Sequence, residues 1–71
     1  MPGLKWSDSD EIGYQLYEKF PTLDPLRVRF TDLRQQVTEL EEFDDDPELS
    51  GEGLLEAIQM AWLSYYQADK E

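Results

Sequence analysis

The chain is 71 residues long, 39% hydrophobic and 13% aromatic, with no cysteine, no histidine and a formal net charge of −11. This composition excludes disulfides, thiol chemistry, imidazole catalysis and structural zinc, and its sign opposes binding to nucleic-acid phosphate. Nine aromatic residues argue against disorder, so a single small domain over residues 1–71 is expected. The chain lacks both an apolar run of about 18 residues that could span a membrane and the apolar stretch of a signal peptide, which makes a soluble cytoplasmic domain the expectation; it is expected to be a monomer.

The first predicted helix is introduced by Ser7, with Asp8, Asp10 and Glu11 in its first turn, where anionic groups favour the positive helix end. Ile12, Leu16 and Phe20 recur at helical spacing and form one face. Gly13 lies beside that stripe, where a missing side chain admits a close neighbour, while Glu11, Tyr14 and Glu18 face away. Pro21 ends the helix. Thr22 to Pro25 reads as a turn, with Asp24 capping a single helical turn that begins at Pro25. The alternation of Leu26, Val28 and Phe30 with Arg27 and Arg29 suits a short extended connector.

Thr31 is the predicted cap of the second helix, whose buried stripe is Leu33, Val37 and Leu40. Gln35, Glu39 and Glu42 point outward, and Phe43 interrupts the acids as an apolar anchor. Asp44, Asp45, Asp46 and Pro47 terminate this helix, placing carboxylates against the negative end of its dipole. Ser50 caps the third helix, with Leu54, Leu55, Ile58, Ala61, Trp62 and Tyr65 on a broad apolar face and Met60 and Leu63 on the far side. A helix apolar nearly all round is the central one, so the expected fold is all-α, with three helices.

Charge is distributed unevenly. Residues 1–34 carry six acids and five bases, whereas residues 35–71 carry eleven acids and one base. Seven acids fall within ten positions: Glu39, Glu41, Glu42, Asp44, Asp45, Asp46 and Glu48. Such a run is a solvated face, a docking surface for a basic protein, or a weak site for hard cations. Its spacing makes no EF-hand: counting from Asp8, Gly13 falls at the sixth position, but Lys19 stands where a bidentate glutamate is needed. No candidate nucleophile or base accompanies the acids, so an enzyme is not expected. Trp6 and Trp62 are assigned to the core, and Arg27, Arg29 and Arg34 to pairing with nearby acids. Removing repulsion within the run, by Asp45→Asn or Glu42→Gln, is expected to raise the melting temperature slightly.

Several short stretches also resemble a known family. Gly3-Leu4-Lys5-Trp6, Glu11-Ile12-Gly13, Leu16-Tyr17, Leu23-Asp24-Pro25, Val28-Arg29-Phe30-Thr31-Asp32-Leu33, Phe43-Asp44-Asp45-Asp46-Pro47, Leu55-Glu56-Ala57-Ile58 and Trp62-Leu63 together resemble the IscX family. The resemblance implies a small helical domain related in shape to the winged helix, and a role in bacterial iron–sulfur cluster assembly. It implies an acidic surface that binds the cysteine desulfurase of that system, in competition with frataxin and ferredoxin, and that binds iron weakly. On this reading Asp8, Glu11, Glu39, Glu41, Glu42, Asp44, Asp45, Asp46 and Glu48 engage the partner. Glu41, Glu42, Asp44, Asp45, Asp46 and Glu48 are the carboxylates expected to meet iron. The alternative is a nucleic-acid mimic that blocks a DNA- or RNA-binding protein; charge concentrated in one segment favours local docking instead.

Overall fold

A computed structural model describes residues 3–49 and 51–70. The helices are α1 (Ser9–Lys19), α2 (Phe30–Thr38) and α3 (Glu52–Lys70), with single 3-10 turns at Pro25–Arg27 and Pro47–Leu49. The Cα radius of gyration is 11.0 Å, which equals the value of about 11 Å expected for a compact chain of this length. The architecture is all-α. Among the described residues the only β pairing is an isolated parallel bridge between Leu4 and Phe43.

The core is built from Leu4, Trp6, Ile12, Leu16, Leu33, Val37, Leu40, Leu55, Ile58 and Trp62, all buried. Ile12 and Leu16 supply the inner stripe of α1, and Leu33 and Val37 that of α2, as their spacing predicts. α1 packs mainly against α3. Gly13 permits this contact: a Cβ there would stand 2.7 Å from both Ala61 Cβ and Trp62 N. Phe20, at the end of α1, reaches the Trp62 ring at 6.3 Å between centroids. Asp24 caps the turn that starts at Pro25, its carboxylate accepting from Leu26 N at 3.0 Å. Gln59 ties that turn to α3 by donating to the Pro25 carbonyl at 3.0 Å.

Local details differ from the sequence-based expectation. α1 starts after Asp8, not Ser7, and the Asp8 carboxylate turns back to accept from Lys5 N at 3.0 Å. The Leu26–Phe30 connector is extended only at Val28 and Arg29, because the Pro25 turn runs through Arg27 and leaves Leu26 exposed. α2 begins at Phe30 with Arg29 as its cap residue, ahead of Thr31; Phe30 packs against the core, so the backbone has already turned there. α2 ends at Thr38, so Asp44, Asp45 and Asp46 do not lie at its C-terminus and no dipole conflict involves them. Leu63 is buried, although its spacing places it on the far side of α3. Met60 is exposed as expected. The predicted cap Ser50 lies outside the described residues.

Candidate functional site

The acidic segment is held by the start of the chain. Gly3 N and Leu4 N both donate to the Glu42 carbonyl at 2.9 Å, and Asp44 N donates to the Leu4 carbonyl at 2.8 Å. Gly3 adopts φ +127, a conformation that side chains disfavour, and this lets two successive amides aim at one oxygen. Lys5 donates from its ammonium to the Asp44 carbonyl, and that ammonium lies 3.9 Å from the Asp44 carboxylate. Trp6 is almost fully buried, meets Phe43 edge-on at 4.8 Å, and donates its indole N–H to the Asp46 carbonyl at 2.7 Å. Phe43 is thus the anchor its position among the acids implied.

Asp45 closes this clip. Its Oδ2 accepts from Trp6 N at 3.0 Å and its Oδ1 from Asp46 N at 2.8 Å. The Trp6 N–H, then the Asp46 N–H, hold its carboxyl below the ordinary carboxylate pKa. The expectation that Asp45→Asn stabilises is therefore reversed. An amide would present an N–H to one of these two donors. Asp45→Asn is expected to lower the melting temperature by a few degrees. Glu42→Gln should still raise it slightly, since a glutamine can accept the Gln15 bond through its carbonyl. Because the folded pKa of Asp45 is depressed, its stabilisation is present above the usual carboxylate range and is lost as pH falls below it. The Asp45→Asn deficit should accordingly be full at neutral pH and shrink in acid. Thermal melts across that range check this; a deficit independent of pH would refute the assignment.

The acids on the other side of the segment meet α1. Glu11, Tyr14, Gln15, Glu18 and Lys19 of α1 line an open groove of about 570 Å³ together with Leu40, Glu41 and Glu42. Gln15 Nε2 bridges the two sides, 3.0 Å from Glu42 Oε2 and 3.4 Å from Glu11 Oε2. Tyr14 donates its O–H to Glu18 at 2.9 Å, and Tyr65 of α3 donates to Asp10 at 3.1 Å. The two rings meet edge-on, with centroids 5.3 Å apart. Each phenol pKa is raised, first by donation to its carboxylate, which favours the protonated form.

The run that looks continuous in sequence is thus divided in space. Glu11, Glu41 and Glu42 share one groove, and Glu18, not singled out in the sequence, joins them. Asp8 is tied to Lys5 N, and Asp44, Asp45 and Asp46 form the clip. Glu39 lines a separate depression with Phe20, Leu23 and Arg27, and Glu48 lies 3.9 Å from Arg34 of α2. Among the described residues no group of three carboxylates converges as metal ligands. Asp45 and Asp46 already accept backbone N–H groups. These carboxylates therefore do not fit a preformed iron centre. Gln15, Tyr14 and Glu18 were missed because they sit on the outward face of α1, and only the fold of residues 40–42 brings charge opposite them.

Fold and surface define a small helical domain with an acidic groove and an acidic clip. Residues 4–67 match the iron–sulphur cluster assembly family. The chain is also 58% identical over 60 residues to the uncharacterized protein PA3808 of Pseudomonas aeruginosa, an alignment covering 84% of this chain and 91% of that protein. The chain belongs to the iron–sulphur cluster assembly family, also known as the IscX family. Among the described residues no helix is long and apolar enough to cross a membrane.

Proposed function

We propose that the protein is an adaptor, without catalytic activity of its own, that modulates iron–sulfur cluster assembly by docking on a basic surface of the cysteine desulfurase. Membership of the assembly family supports a role in that process. The observation that carries the docking reading is the groove, where carboxylates from two distant stretches, Glu11 and Glu18 with Glu41 and Glu42, face one open space. Frataxin and ferredoxin, which compete for the same desulfurase surface on the family reading, would be displaced by the same charges. Ferrous iron is then a loosely held cargo, gathered by exposed carboxylates of the 41–48 segment with water completing its shell.

Exposed charges are screened beyond about 8–10 Å at physiological ionic strength. Affinity for the desulfurase should therefore fall clearly as salt rises, mainly through slower association. Titrations with purified desulfurase at several salt concentrations test this. Affinity unchanged from low to high salt would rule out an electrostatic interface. Recovery of a DNA- or RNA-binding protein in place of the desulfurase would establish the mimic instead.

A further inference from the structure

Tyr14 is 40% exposed, large for an outward position on an 11-residue helix, yet its ring is held firmly. Its O–H is tied to Glu18 at 2.9 Å, and its ring packs at a steep angle, 5.3 Å between centroids, on that of Tyr65, whose own O–H is tied to Asp10 at 3.1 Å. A ring held by its hydroxyl and by a neighbouring ring, and still 40% exposed, can meet a ligand at little cost in rotamer entropy. Leu40, buried in the core, contributes only its edge to the same groove. Around it stand four carboxylates, those of Glu11, Glu18, Glu41 and Glu42, against the one ammonium of Lys19. The Lys19 ammonium lies 5.7 Å from the centre of the Phe20 ring. At about 570 Å³ the groove has room for a long side chain.

We propose that this groove is a socket for one arginine side chain of the basic protein partner, with the guanidinium lying on the Tyr14 ring and paired with the surrounding carboxylates. This rests on the docking function proposed above and names the chemistry it reads. Lysine would satisfy the charge alone. Arginine adds a flat, weakly hydrated ion that stacks on an aromatic face and offers several N–H groups to carboxylates at once. The apolar wall takes its methylene stem. A tyrosine at position 14 thus turns a general attraction for bases into a preference for one of them.

The test titrates the isotope-labelled full-length chain with tetra-arginine and tetra-lysine peptides at one ionic strength, reading amide shifts and affinity. The arginine peptide should bind about three- to tenfold more tightly, with shifts at residues 11–18 and 40–42. Tyr14→Phe should keep that preference and Tyr14→Leu should abolish it; both are surface changes whose folding is checked by thermal melts. Equal affinity for the two peptides, a preference that survives Tyr14→Leu, or shifts confined to residues 44–48 would each overturn the socket. Desulfurase titrations run beside these. Salt-sensitive binding indifferent to Tyr14→Leu overturns the socket and leaves docking standing. No desulfurase binding, with the arginine preference intact, upholds the socket and overturns the choice of partner.

Discussion

Gly13→Ala is expected to lower the melting temperature sharply, against the usual trend for a glycine in a helix. Alanine there gains about 1 kcal/mol of helix propensity. The new Cβ, however, would lie 2.7 Å from Ala61 Cβ and 2.7 Å from Trp62 N. The second of these atoms is backbone and has no rotamer to yield. Overpacking of this kind costs about 1–3 kcal/mol or more, and α1 can escape it only by lifting Ile12 and Leu16 off the core. In a domain this small, a net loss of 1 kcal/mol shifts the midpoint by about 4–8 °C. Ala61→Gly in the same chain should recover only part of the loss, because it removes one obstruction and leaves Trp62 N. Melts of both single variants and the double variant check this. A Gly13→Ala protein as stable as the parent would show that the two helices separate freely.

Trp6→Ala is expected to cost about as much as the whole stability margin. Removing a buried tryptophan costs about 3–5 kcal/mol, and a single core of this size supplies roughly that amount. The damage should centre on the acidic clip, since Trp6 touches Phe43 and donates to the Asp46 carbonyl. Trp6→Phe keeps most of the ring and loses only the indole bond, so it should fold with a lowered midpoint. Amide spectra of Trp6→Phe should then show the largest changes at residues 43–46, with α1–α3 packing kept. Changes spread evenly over α3, with 43–46 unaltered, would mean that Trp6 does not order the clip.

The helical stripes were legible because burial follows spacing. Ile12 and Leu16, Leu33 and Val37, and Ile58 and Trp62 each lie inside as their period requires. Gly13 was legible too, because a glycine beside a buried stripe has few other uses. Helix ends were less so. Asp8 and Arg29 take the cap positions without a side-chain cap bond, so the preference for serine and threonine had nothing to act on. The acidic run misled in one respect. Seven neighbouring carboxylates looked like one patch, but a turn at residues 39–42 and pairing with residues 3–6 send them in different directions. Asp45 became a structural acceptor, and Glu18, from a quiet stretch of α1, entered the groove. These assignments depend on contacts between residues 27–39 positions apart, which periodicity does not report.

The clip also has a history in time. Trp6 and the Asp45 carboxylate that receives its amide are separated by 39 positions. At about 5–20 residues per second, roughly two to eight seconds of synthesis pass between making one and making the other. For that interval Trp6 lacks the Phe43 ring and the Asp46 carbonyl that meet it in the folded chain. Long-range pairing of this sort also carries the larger loop-closure cost and forms late in folding. The acidic clip is thus finished only once residues 43–46 have been made and have folded back on residues 3–6.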